Sequence, residues 1–377
     1  MLDELIVFSQ HVQFKVIFLR QPGAFYEDRL TQLRQNGIDI VVCPFSKAPN
    51  ISKLLFCLRF SIRNLACFLS WYSFIVGIKS LWWFCLLEDQ YFKKPVSIHA
   101  QFATQPALVS LLLSKYHSSS KIDYFFTFHA YDIFFYNRWF VKLVNNSRMC
   151  FSISEYNLNY VQEKYKGLDR SKLELSRLGA FASSQHHQAK ASSEEFRIGF
   201  ISWFVEKKGI QYLLEAMKII AARNRNIKLV IAGDGPLRSS IEAYIASNNL
   251  GNSITYIGKL NEHEKASFFT SIDALVLPAV TLRNDKDGIP VVLMEAISFG
   301  LPIISTNISG IPEICINNYN GFLIPEKNVN ALVNAITTLS SDRKTAHRYS
   351  ENSYQLYSKY NLDTNSYSKL KKLEWIN

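Results

Sequence analysis

The sequence predicts an α/β protein with doubly wound parallel sheets in two domains. In the second half, short apolar runs alternate with helical periods at a steady spacing, and the first half repeats this alternation more loosely. Between them, Phe181 to Glu195 is polar, aperiodic and rich in Ser, Ala, Gln and His, which reads as a linker. The expected division is therefore 1–190 and 191–350, with 351–377 a helical segment returning to the first domain. At 377 residues, each domain can bury a core of its own.

In the first half, Lys15 to Leu19 and Asp39 to Cys43 read as strands around a helix from Tyr26 to Gln35, which Asn36-Gly37 ends. Val96 to His99 and Tyr124 to Thr127 are strands flanking a helix from Pro106 to Lys115. Met149 to Ile153 is a strand that feeds a helix from Ser154 to Lys164. In the second half the expected strands are Phe196 to Ile201, Lys228 to Ala232, Ser253 to Ile257, Ala274 to Leu277 and Pro302 to Ser305. The helices are Ile210 to Arg223, Pro236 to Asn248, Glu262 to Thr270, Val291 to Phe299 and Val329 to Leu339.

Ligands of such sheets bind beyond the carboxyl ends of the strands. Three loops fall there: Gly233-Asp234-Gly235-Pro236, Ala279 to Pro290, and Thr306 to Pro312. The run Asp287 to Pro302 is the most informative. It sets a loop and Gly288 just before a helix, with carboxylates at Asp287 and Glu295 eight positions apart and the next strand directly behind. A helix N-terminus after such a turn suits an anionic ligand such as a diphosphate.

Bulk properties narrow the classes. A net charge of +11, from 42 basic and 31 acidic residues, favours anionic partners: nucleic acid, anionic lipid or a nucleotide. The basic residues are dispersed and no helix-turn-helix or RNA-binding signature occurs, so no nucleic-acid partner is expected. Six cysteines without a CxxC pair read as small buried hydrophobes in a reducing compartment, and no metal site is expected, at His186 and His187 or elsewhere. The start, MLDELIVFSQ, carries two acids and no basic run, which disfavours a cleaved leader and makes the cytoplasm the expected location. GxGxxG is missing after the first strand and GxxxxGK[ST] is missing throughout, which disfavours nicotinamide and P-loop enzymes.

Ile51 to Lys94 interleaves aromatic residues with Lys and Arg, and its longest uncharged run, Asn64 to Ile78, is 15 residues. That is short of the roughly 18 apolar residues a spanning helix needs. Two readings stand: an interfacial segment meeting anionic lipid, or core helices whose basic side chains snorkel to the surface.

The residues from Asp287 onward, with Ser309-Gly310-Ile311-Pro312-Glu313 behind them, resemble the nucleotide-sugar domain of glycosyltransferase family 4. Val205-Glu206-Lys207-Lys208-Gly209-Ile210 and Ala232-Gly233-Asp234-Gly235-Pro236-Leu237 occur in that family's order and spacing. Ile98-His99-Ala100-Gln101-Phe102 and Thr127-Phe128-His129-Ala130-Tyr131-Asp132 resemble its bacterial exopolysaccharide and surface-glycan branch. The resemblance covers residues 95 to 340 and is densest after 196. It implies the GT-B fold, two Rossmann-like domains facing a central cleft, the first binding acceptor and the second the nucleotide sugar.

The resemblance also implies roles. Lys208 matches the lysine on the donor diphosphate, where a cation offsets charge growing on the leaving group. Glu295 matches the carboxylate on the ribose hydroxyls. Asp287 stands where the family usually has Glu to orient the sugar, and misplacement by about 1 Å can cost about 100-fold in rate. His129 matches the histidine near the transferred sugar, making His129, Lys208, Asp287 and Glu295 the expected catalytic set. Gly233, Gly235, Gly288, Ile289, Pro290 and Val291 join Lys208 and Glu295 around the donor. Gly23, His99, Asp132, Trp203 and Gly310 are expected at the substrate. Read without the resemblance, Lys208 also fits a solvated helix-start lysine, Asp287 a helix cap, and His129 a hydrogen-bonded loop residue.

Two departures stand out. Trp203 occupies the place of the family's second diphosphate cation, an arginine, with Arg177, Arg238 and Arg283 as candidate replacements. Only Pro22-Gly23 represents the family's first glycine-rich loop. The expected function is retaining transfer of a sugar from a UDP- or GDP-sugar, without cofactor, to a glycan or polyprenyl-linked oligosaccharide in bacterial surface polysaccharide synthesis. The expected place is peripheral, at the inner face of the plasma membrane. The alternative is a catalytically weakened GT-B homologue that partners an active transferase.

Overall fold

The computed structural model describes residues 2–20, 22, 26–42, 51–88, 92, 95–117, 121–135, 137–183, 195–223, 226–283 and 285–376. The chain divides into two compact units, 1–178 with 362–377, and 179–361. The boundaries expected from sequence are 190/191 and 350/351. Most of the expected linker, 184–194, lies outside the described residues, as do Gly23, His186 and His187.

In the first unit, strands β1 (Lys15–Phe18) and β2 (Asp39–Val42) form a parallel pair. A separate parallel sheet holds β3 (Val96–Gln101), β4 (Ile122–Phe128), β5 (Met149–Ser152) and β6 (Leu173–Leu175), in that order. β4 is central and buried along nearly its whole length, as its Tyr-Phe-Phe-Thr-Phe run requires of a strand covered on both faces. The helix Gln105–Tyr116 packs on it and buries seven consecutive residues from Ala107 to Leu113. Helices Leu2–Ser9 and Leu362–Lys372, from opposite ends of the chain, pack together here, and Phe8 and Leu370 share a core with Phe125 and Phe151. The three-residue β6 and the opening helix carry too little periodicity to be read from sequence.

The second unit has one six-stranded parallel sheet. Its strands are β7 (Phe196–Trp203), β8 (Ile227–Asp234), β9 (Ile254–Tyr256), β10 (Ala274–Leu277), β11 (Ile303–Thr306) and β12 (Gly321–Ile324). The order is β12-β11-β10-β7-β8-β9, so the winding reverses between β7 and β10. β12 was not expected from sequence. Its Gly321 permits a tight approach, since a Cβ there would stand 1.8 Å from the Ile303 carbonyl oxygen. All four residues of both β10 and β11 are buried, the sign of central strands covered on both faces.

Candidate active site

The reversal between β7 and β10 opens the sheet's switch point, where loops leaving adjacent strands diverge. After β7 the chain makes a short turn, Glu206–Lys208, closed by Gly209 at φ +73°. A Cβ on Gly209 would lie 1.8 Å from the Pro278 carbonyl oxygen, so only glycine lets this turn sit against the end of β10. Val280 N–H donates to the Lys207 carbonyl at 2.8 Å and completes the join. Gly233, at φ +130°, holds the end of β8 against β7, where a Cβ would meet the Ser202 carbonyl oxygen at 1.9 Å.

This docking brings two lysines onto the loop after β10. Lys208 Nζ lies 2.6 Å from Asp287 Oδ2, and Lys207 Nζ lies 3.5 Å from Asp287 Oδ1 and 2.9 Å from Asp285 Oδ1. One carboxylate is thus bracketed by two ammonium groups. Burial works against the charge on Lys207, but its hydrogen bond to Asp285 and the charge of Asp287 outweigh it and raise its pKa. Asp285 and Asp287 are an Asp-x-Asp pair, overlooked in the sequence reading, and both carboxylates are engaged by lysine. Asp287 is therefore not a helix cap: the helix Val291–Ser298 starts after Pro290 with no side-chain cap. Its first amides form an open N-terminus, Ile289 is buried beneath it and Val291 is half exposed.

Glu295, one turn into that helix, lies 3.1 Å from Lys265 Nζ, which also reaches Glu262 at 3.1 Å. Burial opposes the charge on Lys265, but the two carboxylates win and raise its pKa. Lys207 and Lys265 were missed by sequence reasoning, and the only available signal was their spacing beside residues already singled out. Trp203 is 59% exposed at the end of β7. Of the arginines weighed as its replacement, Arg177 pairs with Glu155 in the first unit and Arg238 pairs with Glu242. Lys207 is the second cation actually brought beside Lys208. Gly310 has φ −86°, open to any residue, so its torsion does not explain the glycine. Beside it, Ser309 Oγ is buried with no hydrogen-bond partner.

The first unit gathers His99, His129 and Asp132 at the ends of β3 and β4. His99 Nε2 lies 2.9 Å from Thr127 Oγ1, and burial, then the charge of Lys369, holds its pKa well below the ordinary value. His129 Nε2 lies 3.4 Å from Gln101 Oε1, and Gln101 Nε2 donates to Glu4 Oε2 at 3.1 Å. Glu4 Oε1 in turn accepts from Lys369 Nζ at 2.8 Å. A carboxylate paired with lysine offers only acceptors, so the Gln101 amide nitrogen turns to Glu4 and its oxygen to His129. His129 Nε2 then carries the proton, leaving Nδ1 a lone pair. Burial, reinforced by Lys369, lowers the His129 pKa to about 3, so the ring is neutral.

Asp132, expected at the substrate, faces inward. It is fully buried, and its Oδ2 accepts the backbone N–H groups of His129 at 2.8 Å and Ala103 at 3.0 Å. Burial raises its pKa to about 7 against the pull of these two bonds. Its work is on the protein's own backbone, where it shapes the loop that presents His129.

The fold finds counterparts among known proteins. Residues 182–356 match the family described as glycosyl transferases group 1. The second unit is a domain of that family, and the fold is GT-B. The amylovoran biosynthesis glycosyltransferase AmsK of Erwinia amylovora is 31% identical over 176 residues, 46% of this chain and 43% of the relative. The chain thus matches less than half of that relative's length. An uncharacterised glycosyltransferase of Methanocaldococcus jannaschii is 28% identical over 270 residues, 70% of each chain. Among solved structures, Anabaena HepE in complex with UDP has a TM-score of 0.72 over 100% of this chain and 96% of its own, at 14% identity, a likeness of fold.

Proposed function

We propose that the protein is a retaining glycosyltransferase that moves a sugar from a UDP- or GDP-sugar to a glycan or polyprenyl-linked glycan in bacterial surface polysaccharide synthesis. The observation that carries this reading is the Lys208–Asp287 pair, built from the loops after β7 and β10 at the sheet's switch point, with Lys207 beside it. The amylovoran relative and the UDP carried by HepE support the substrate class.

In this reading Lys208 and Lys207 neutralise the diphosphate as the glycosidic bond breaks, a stabilisation that grows with the charge on the leaving group. The uncapped start of Val291–Ser298, led in by Gly288, Ile289 and Pro290, offers backbone donors to the same phosphates. Glu295 accepts from the ribose hydroxyls and Asp287 orients the donor sugar. Gly233 and Gly235 keep the neighbouring loop close, and Gly310 lies with Ser309 on the loop after β11. In the first unit, the neutral ring of His129 lies near the transferred sugar. Lys207 removes the need for an arginine at Trp203, and no metal or other cofactor is required when lysines and amides carry the charge. The departing phosphate takes the acceptor proton, so the protein chiefly positions groups and excludes water. The enzyme works as a peripheral protein at the inner face of the plasma membrane.

Calorimetric titration with UDP and GDP tests the reading. Micromolar binding of one nucleotide that is lost in Glu295→Ala is the expected result, and binding of neither overturns it. Exposed Trp203 favours one other reading, a weakened homologue that partners an active transferase. It would show nucleotide binding without turnover on any acceptor.

A further inference from the structure

The helix Ile51–Arg63 is apolar on both faces, with Phe56, Cys57 and Phe60 packed inward on the core. Its inner face carries a lysine: Lys53 is 1% exposed, donates to the Leu87 carbonyl at 2.5 Å and lies over the Phe84 ring at 5.2 Å. Its outer face carries Ile51, Leu54, Leu55, Leu58 and Ile62, each 45–76% exposed and spaced as one helical stripe. Such a stripe normally faces a core.

The stripe does not stand alone. Leu65 and Leu69, in the following turn, are 67% and 70% exposed. The next helix, Trp71–Leu86, exposes Trp71, Phe74, Ile78 and Trp82, again at helical spacing, while its other face buries Val76, Ser80 and Phe84. The two helices pack together, with Cys57 and Cys85 sulfurs 3.5 Å apart and the Phe56 and Phe84 rings 5.7 Å apart. Scattered single exposed hydrophobes are ordinary, but two adjacent stripes joined by an apolar turn are not.

Charge says what covers them. From Ile51 to Leu87 the sequence contains no acidic residue, while Arg59, Arg63 and Lys79 lie exposed among the stripes. Apolar side chains flanked by cations and free of carboxylates match the boundary of an anionic bilayer, where acyl chains receive the stripe and headgroups the arginines. Among the described residues no helix is long and apolar enough to cross a membrane. We infer that helices Ile51–Arg63 and Trp71–Leu86 form a monotopic docking face that inserts its leucine, isoleucine and tryptophan side chains into the surface of an anionic lipid bilayer. This rests on the peripheral placement proposed above and names the surface responsible, with the first helix leading.

The test is co-sedimentation of the full-length protein with vesicles of phosphatidylcholine alone, or with phosphatidylglycerol as about one third of the lipid. Wild type is expected to bind the anionic vesicles, with a blue shift of tryptophan emission. The double variant Leu55→Ser, Leu58→Ser should bind at least tenfold more weakly with unchanged melting temperature, because both side chains are exposed. Arg59→Gln with Arg63→Gln should erase the preference for anionic lipid. If the serine variant binds like wild type, this surface is wrong while the peripheral placement stands. If wild type binds neither vesicle, both fall. A wild-type dimer that the serine variant dissociates, without vesicle binding, would show a second copy of the chain covering the face and overturn the inference. Nucleotide titration of the same variants reads the donor site separately.

Discussion

Two lysine–carboxylate pairs of similar length sit in opposite settings. Lys369 and Glu4, 2.8 Å apart, are 1% and 5% exposed, whereas Lys208 and Asp287, 2.6 Å apart, are 18% and 13% exposed. The buried pair joins the first and last helices of the chain and also holds Gln101, so each group has a partner and no ligand can reach it. The switch-point pair opens to solvent on a loop, with a further lysine at its side, so its cations can be redirected to an incoming anion. Similar bonds therefore serve different ends: the first fixes geometry, and the second, on the function proposed above, is a resting arrangement that the donor diphosphate would replace.

Breaking the buried pair should produce the largest effect. Glu4→Ala leaves an ammonium in the interior without a counter-charge, a change that typically costs about 3–5 kcal/mol. Urea unfolding should show it, and the double replacement Glu4→Met, Lys369→Met should recover most of the loss. A single variant within about 0.5 kcal/mol of wild type, the range of ordinary surface changes, would erase the contrast between the two pairs.

Lys208→Ala sharpens the contrast from the other side. Donor affinity and turnover should fall at least tenfold, while unfolding free energy moves by about 1 kcal/mol or less, since Asp287 keeps Lys207 as its counter-charge. A large stability loss with turnover intact would mean that the pair is structural after all.

How far these sites were legible in sequence follows from the same contrast. Lys208, Asp287 and Glu295 were named through the family resemblance, which rests on local runs, and the structure sets Lys208 against Asp287. Five of the six second-half strands were placed to within about two residues, all but β12, because buried parallel strands are continuous apolar runs between turn residues. Glu4 and Lys369 could not be paired by reading, since they lie at opposite ends of the chain and only the packing of two helices brings them together. Lys207 was visible but mute, because which lysine reaches Asp285 depends on how Gly209 seats the turn. Asp132 misled for a related reason: a polar residue after a motif histidine suits either a substrate or its own backbone, and only burial separates the two.

Titration offers a third test, smaller because two tendencies oppose each other. His129 has its pKa lowered from 6.5 to about 3, so its contribution to stability is full above pH 6.5 and is lost as pH falls toward 3. Asp132 is raised from 3.8 to about 7, so its contribution is full below pH 3.8 and is lost as pH rises toward 7. His129→Gln should therefore gain stability relative to wild type on acidification, and Asp132→Asn on moving toward neutrality. Parallel stability curves for wild type and both variants would show that neither group carries the shift.

The smallest expected effect concerns Trp203. If Lys207 already supplies the second cation, restoring arginine at position 203 adds charge to a site that has enough, and donor affinity should rise by no more than about threefold, under 1 kcal/mol. Stability should stay within about 0.5 kcal/mol, as for other exposed positions. Should Trp203→Arg instead raise affinity or turnover by a hundredfold, Lys207 would be confined to its pairing with Asp285, and the native chain would be a transferase weakened at that position. The double variant Lys207→Ala, Trp203→Arg separates the cases. Under the present reading arginine rescues the loss of Lys207, because either cation can stand beside Lys208, and under the other the two changes act independently.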